Sequence, residues 1–555
     1  MQLKTVFKVS AVAMALVLAG CGGDIEITPT VNDTSVNNSN NTTNNSGGST
    51  GGNGNTGTTN PCTKRGEIQG AYDGKDCSYS AAFASKNIQI TENLTFKELA
   101  GGGVHVFSGA LLIGTDCNTT TGCTVAAGPT LKVEPGATLA FTSGESIIRI
   151  ARGAKIDAVG TFEKPITFTS ANAFTRLDVV GDGPQFADWG GIIINGFGIT
   201  DNCKDAERNG TQDAKAGACN VPSEGIVSYY GGKDNADSSG NIKYAKIWYG
   251  GSGPKVCGDG DDLNSLTLNA VGSGSSFEFL HIHQGYDDGI EFFGGAANLK
   301  NIVVTDTQDD AIDIDASWQG KAQYVFVRHG TVDTKKDVTL DSGTVIKKGT
   351  KIFMGNGGFE ADGRKSNGSA DYAQTQPSSP NFANVTVITT DGKSVRDNAP
   401  SLAMTFDDKY AGSFFNTLLV KKEGVQTKCI NFIADGEKQV NKIKMNGVVM
   451  ACDGEFTSAD GVFKGGPLAT TTMTAWFDNG GASQRLGAAA DALAADGIST
   501  NTASTKITVK PNDLKTLDAF YDPAGAAFIG ALSDKDTSSN WAKWVKEAVA
   551  AADKD

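Results

Sequence analysis

Ser276–Ala296 reads SFEFLHIHQGYDDGIEFFGGA, and Asn298–Gln319 reads NLKNIVVTDTQDDAIDIDASWQ. At a step of 22 residues Asp287 falls on Asp309, Asp288 on Asp310, Ile290 on Ile312 and Glu291 on Asp313. The apolar pairs Leu280/Ile302 and Ile282/Val304 keep the same step. A repeat of that size is too short for a domain and fits one coil of a solenoid. In a stack of parallel strands, equivalent side chains of successive coils lie about 4.8 Å apart. Three carboxylate pairs then share one small patch. Like charges that close call for a cation, raised pKa values or open exposure to water.

The rest of the body agrees with a stack. Short β-rich runs recur between Gly, Asp and Asn turns, among them TLKVEPGATLAF, SIIRIARGAKIDAVG, GGIIINGFG, IKYAKIWYGG, AQYVFVRHG and FANVTVITTDG. Pro135-Gly-Ala and Arg152-Gly-Ala hold the same place in successive strand–turn units. A β-sandwich also has many short strands, but it would not repeat a turn and its acids in register. The fold class read from the sequence is all-β, a right-handed parallel β-helix over residues 61–475, with an N-terminal cap within 61–110. Open ends of such a stack expose strand edges and core. Residues 476–555 change character and are expected to cap the last coils with helices. There Ala488–Ala495 is Ala-rich, and NWAKWVKEAVAA places Trp541, Trp544, Val545 and Ala548 on one helix face.

Residues 1–20 place Lys4 and Lys8 before an apolar run that ends in small residues, the pattern of a secretory signal. The ending LAGC resembles the lipobox of bacterial lipoproteins. By that resemblance Cys21 carries the lipid, and Gly22 in place of the retention signal Asp favours the outer membrane; the cell surface is the expected side, with the periplasmic face as the alternative. Residues 21–60 are nearly all Asn, Thr, Ser and Gly, a disordered tether with an end-to-end distance of about 35 Å. The net charge of −14 argues against nucleic acid as a partner. Ten cysteines include Cys21, and short separations point to the pairs Cys62/Cys77, Cys117/Cys123, Cys203/Cys219 and Cys429/Cys452, with Cys257 left over.

Hard oxygen ligands at short spacing suit Ca²⁺. Asp287, Asp288, Glu291, Asp309, Asp310, Asp313 and Asp315 form the leading candidate site. Asp259, Asp261 and Asp262 in GDGDDLN form a second, and Asp407-Asp408 in TFDDKY a third. The bland reading is that these acids cap turns and face water. His281 and His283 are two apart on one strand, so they point to the same side and could ligate a metal beside the acids. Trp189, Trp248, Tyr249, Phe292, Phe293 and Trp318 could stack on sugars, with core packing as the alternative.

Two family resemblances bear on function. DWGGIIINGFG (Asp188–Gly198), IWYGGSG (Ile247–Gly253), the stretch from Leu263 to Gly295, DDAIDIDASWQGKAQYVFVRHG (Asp309–Gly330), GNGGFEADG (Gly355–Gly363) and FIGALSDKDTSSNWAKW resemble a family of exported proteins. These are surface lipoproteins and secreted proteins of marine proteobacteria and Bacteroidetes. The resemblance implies export and β-helix-like repeats, without an assigned reaction. Tyr286-Asp-Asp-Gly, Gln308-Asp309-Asp310 and His329-Gly330 also resemble, in order, three stretches of the polygalacturonases. That resemblance implies Asp288, Asp309 and Asp310 as catalytic carboxylates with His329 assisting. Gly-Tyr replaces the Asn-Thr of that family, and no Arg-Ile-Lys follows His329. No complete catalytic set is therefore visible. The body is expected to bind rather than catalyse, as a receptor, an adhesin or the partner of an outer-membrane transporter, with a glycan as the other candidate ligand. The alternative is a polysaccharide hydrolase or lyase.

Overall fold

The computed structural model describes residues 60–555 apart from 254–261, 341–342, 365–368, 390–392, 394–400, 422–427, 434, 453 and 457–459. The signal peptide, Cys21, most of the tether, Asp259, Asp261 and Cys257 lie outside the described residues. Among the described residues no helix is long and apolar enough to cross a membrane.

Each coil consists of a long strand, a turn, a short strand and a second turn. Long strands Ser276–His283, Asn298–Thr305 and Lys321–Arg328 alternate with short strands Ile290–Phe293 and Ile312–Asp315. Long pairs with long and short with short, always parallel. Leu280 stands beside Ile302, Ile302 beside Val325, and Ile290 beside Ile312. The expected step of 22 residues is therefore the register of two neighbouring coils. Strands of the short-strand sheet alternate strictly. Ile290, Phe292, Ile312, Ile314, Phe359 and Ala361 fill one continuous core, where each Ile or Phe is worth about 1.5–3 kcal/mol. Glu291, Asp313 and Glu360, adjacent in register, point outward. A slip of one residue would drive these acids into the core, so the alternation fixes the register.

A single residue with positive φ bends each long strand. Tyr244, Phe279, Asn301, Tyr324, Asn384, Asn416 and Gly447 take φ between 48° and 67° at equivalent places. In earlier coils the two halves are separate strands: Gly240–Trp248 pairs with Lys155–Val159 through its first half and with Ile166–Ser170 through its second. For a non-glycine residue the left-handed conformation costs about 1–2 kcal/mol. Packing outside the coil offsets that cost. The Tyr244 and Phe279 rings stack at 4.3 Å, and Asn384 Nδ2 donates to Gly525 O at 2.9 Å.

The N-terminal end is closed by the antiparallel strands Ala71–Tyr72 and Cys77–Tyr79, with Tyr79 stacked on Phe107 at 4.6 Å. The pairs Cys62–Cys77, Cys117–Cys123, Cys203–Cys219 and Cys429–Cys452 are all disulfides. At the other end the helix Met473–Asp478 presses Met473 and Phe477 onto the last coil. The Thr472 hydroxyl starts that helix by accepting from Ala475 N–H at 3.2 Å.

Residues 476–555 depart from the expected cap over the last coils. After Gln484–Leu486 pairs with Lys444–Ala451, the chain runs back along the outside of the long-strand sheet. The helix Asn540–Ala552 lies over the middle coils, where Trp544 Nε1 donates to Leu280 O at 3.3 Å. The reason is apolar surface: Val303, Phe326, Leu418 and Val420 face outward there. Trp541, Trp544, Val545 and Val549 bury them. The helix face read from the sequence is the buried one.

Candidate functional site

The turn that follows each long strand carries the acids. Asp288 N–H donates to Asn264 Oδ1 at 3.1 Å, and Asp310 N–H donates to Asp288 Oδ1 at 2.9 Å. Each turn thus hangs on the side chain of the coil before it. The amide of Asn264 also donates to Glu291, which ties the turn to the short strand. Gly289 permits the close stacking, because a Cβ there would lie 2.5 Å from Ala311 O and 2.8 Å from Val304 Cγ1.

This scaffold brings Asp287, Asp288 and Asp309 together, and beside them Asp288, Glu291 and Asp313. Within each group one oxygen per residue lies within 4.8 Å of the others. Asp288 belongs to both. Asp288, Glu291 and Asp310 are buried, whereas Asp287, Asp309 and Asp313 are half-exposed. Burial, then the charges of Asp287, Asp313, Asp309 and Asp310, pushes Asp288 well above the usual carboxylate range. Burial, followed by Glu224, Asp313 and Asp288, does the same for Glu291. Asp310 is raised by burial and then by Glu360, Asp309 and Asp313. The site can therefore hold protons or a hard divalent cation.

Two insertions flank the acids. The antiparallel strands Thr331–Asp333 and Lys351–Phe353 belong to a hairpin region whose Val332, Val338 and Ile352 pack with Tyr286, next to Asp287. On the other flank the segment that follows the loop closed by Cys203–Cys219 carries Val221, Glu224 and Tyr230. Glu224, Tyr230, Phe293 and Asp315 line a cavity of about 600 Å³.

The structure separates several residues that the sequence grouped together. Asp315 points outward two positions beyond Asp313, into that cavity. Asp262 is buried at the edge of the undescribed loop. Asp407 lies in register with Asp362, one coil beyond Glu360's strand, and accepts from Asp435 N–H at 3.0 Å. His329 is buried with Nε2 3.1 Å from Thr307 Oγ1, and burial alone pushes its ring down to about 3. It supports the turn as a neutral ring. His281 and His283 do share one side, but not as metal ligands. His281 Nδ1 accepts from Trp248 Nε1 at 3.1 Å, and Thr305 Oγ1 lies 3.0 Å from His281 Nε2 and 2.9 Å from His283 Nδ1. His283 Nε2 meets Asp555 Oδ2 at 3.0 Å. All four ring nitrogens are engaged beneath the C-terminal segment. Of the six candidate stacking aromatics, Trp189, Phe292 and Trp318 are core, with Phe292 on Trp318 at 3.8 Å. Trp248 and Tyr249 lie against the two histidines, and Phe293 lines the cavity.

Glu224 and Glu360 escaped the sequence reading. Glu360 sits in FEAD, which repeats the apolar–acid alternation of IDID at Ile312–Asp315, and that alternation is the signal that finds it. Glu224 sits just beyond the loop closed by Cys203–Cys219 and has no periodic signal.

A family model described as a pectate-lyase like beta helix domain matches residues 111–492. No curated protein and no solved structure matches the chain.

Proposed function

The chain belongs to the family of pectate-lyase-like β-helix domains, and on that premise we propose that it is an exported binding protein anchored in the outer membrane through Cys21. Its body is a right-handed closed β-helix, and its ligand is a glycan or a transporter partner at the cell surface. The outward face of the short-strand sheet is the binding face, and Asp287, Asp288, Glu291, Asp309 and Asp313 hold Ca²⁺ there. One observation carries this reading: two three-carboxylate groups share Asp288, with all ligand oxygens of each group within 4.8 Å. Such spacing suits oxygen ligands of one ion.

Thermal unfolding in chelator and in millimolar-range Ca²⁺ tests the ion. The melting temperature is expected to rise with Ca²⁺, and to rise far less in the Asp288→Asn/Asp310→Asn variant. An identical melting temperature in both media refutes the site. For the anchor, Cys21→Ser should abolish labelling by a lipid analogue.

A second reading has its own support. Burial and neighbouring carboxylates push Asp288 and Asp310 upward, the direction that favours a general acid, and on that support Asp288, Asp309 and Asp310 are the residues of a polysaccharide hydrolase or lyase. Release of reducing ends or unsaturated products from a polysaccharide panel, lost in Asp309→Asn and Asp310→Asn, would establish it over binding alone.

A further inference from the structure

Beside the hairpin region a loop holds two apolar side chains out in water. Val179 is 97 % exposed and Val180 79 %, and no large apolar side chain among the described residues is more exposed. The loop is built to keep them there. Phe174 and Leu177 pack its base against Val104, Ala140 and Ala171. Asp178 closes the tip, its Oδ1 accepting from Gly181 N–H at 2.9 Å and its Oδ2 from Gly183 N–H at 2.8 Å. Both glycines take positive φ, 79° and 83°, which other residues adopt only at a cost. Lys348 Nζ donates to Asp182 Oδ1 at 2.6 Å and ties the tip to the hairpin region, where Val345 is exposed as well. A loop already fixed in this way loses little freedom when it meets a surface.

We propose that this tip, with the lysines of the hairpin region beside it, seats the body on an anionic lipid bilayer. The choice of a membrane rests on the proposed anchor at Cys21. Residues 21–59 join that anchor to the body at Asn60, and a link of about 40 residues spans up to about 140 Å, too long to set the body's orientation. Contact through the body's own surface must set it. The loop is pinned to the end where the link enters. Arg176 Nε donates to Asp76 Oδ2 at 2.7 Å and Nη2 to Asp76 Oδ1 at 2.8 Å. Asp76 precedes Cys77, which is bonded to Cys62, two residues beyond Asn60. Val179 follows Arg176 by three residues, about 11 Å of chain at most. Charge agrees with the assignment. The chain carries −14, a charge that anionic headgroups repel. Residues 331–353 reverse that sign locally, with five Lys against three Asp, and the loop's Arg176, Asp178 and Asp182 leave the two segments together at +1. Lys347 and Lys351 stay exposed beside Asp337 and Asp333. Apolar side chains at the acyl boundary with lysines at headgroup level make an interfacial contact.

Flotation of the processed chain, residues 21–555 with Cys21→Ser so that no attached lipid holds it, tests the proposal. Vesicles of phosphatidylethanolamine and phosphatidylglycerol at millimolar-range lipid are compared with phosphatidylcholine alone. Runs in chelator keep Ca²⁺ from bridging the acids to headgroups. The chain is expected to float with the anionic vesicles, and less so as salt rises. Val179→Asp/Val180→Asp should weaken partition about tenfold or more, because apolar burial is lost and two charges meet the interface. Lys347→Gln/Lys351→Gln should weaken it about tenfold on the anionic vesicles alone. Both pairs lie on the surface, so the melting temperature should stay near that of the parent. Val227→Asp, at an exposed valine in the segment that flanks the acids, should leave partition unchanged. Flotation that ignores the Val179/Val180 pair, or that Val227→Asp weakens equally, overturns the tip as the contact. No flotation with the anionic vesicles overturns the bilayer and leaves the tip to a protein partner. Lipid labelling at Cys21 decides the anchor separately. If labelling fails while tip-dependent flotation holds, the anchor reading falls and this one stands; labelling without flotation gives the reverse.

Discussion

The two outer faces of the same stack have been finished in opposite ways. Outside the long-strand sheet, Val303, Phe326, Leu418 and Val420 lie under Trp541, Trp544 and Val545, and the polar groups beneath the helix close on one another. Outside the short-strand sheet, Glu291, Asp313 and Glu360 stand in a column with Asp288 and Asp310 behind them, repelling one another. The first face is satisfied by its own chain. The second relieves its charge by holding protons, or a cation in their place. A solenoid offers repeated surface on every side, and among the described residues the electrostatically frustrated acidic side gathers the two three-carboxylate groups of the candidate site.

Substitution of Trp544 by Ala should break this contrast most severely. The side chain is buried and its Nε1 is bonded to Leu280 O, so a loss of about 3–5 kcal/mol is expected in chemical denaturation. A loss below 1 kcal/mol would mean that the covering segment is an appendage and the two faces are alike. Next in size is the response to Ca²⁺. Free Ca²⁺ at about a hundred times its dissociation constant should add about 2.7 kcal/mol, read as a shift of the denaturation midpoint. The same ion should do almost nothing for Asp288→Asn/Asp310→Asn, whose unfolding in chelator should come later than the parent's because the repulsion is gone.

The pH dependence should be smaller and of unusual sign. Asp288, Glu291 and Asp310 have folded pKa values above their unfolded ones. Their contribution to stability is complete below the unfolded values near pH 4 and is lost as pH rises through the folded ones. In chelator the midpoint should therefore fall from mildly acid to alkaline pH, and Ca²⁺ should flatten the slope. A rise with pH in chelator would show these acids ionised and well solvated. The smallest effect tests the covered face: Asn384→Gly keeps the bend, which glycine adopts freely, but removes the amide that donates to Gly525 O, at a cost of about 1 kcal/mol. No change at all would mean that the covering segment does not offset the bends.

Legibility in the sequence followed locality. Ile290/Ile312 and Glu291/Asp313 could be read because no insertion separates their coils, so register is counted directly along the chain. Glu360 continues the same column but follows the hairpin region between Thr331 and Phe353, which breaks the count. The bends left no motif, since Tyr, Phe, Asn and Gly all occupy them. The spacing of Trp541, Trp544 and Val545 specifies a helix and its buried face. The surface that it meets, some 260 residues earlier, is set by tertiary packing alone.

That last contact changes how the molecule comes apart. A repeat protein whose coils touch only their neighbours can fray from an end, one unit at a time, with a free energy that adds nearly linearly along the stack. Trp544 against Leu280 joins residues 264 apart. The final segment can dock only when the middle coils that receive it and the last coils that aim it are both in place, and closing so large a loop carries its entropy as a single toll. Once docked, it binds non-adjacent coils into one cooperative unit. The stack then melts as a block where an unclasped solenoid would unzip.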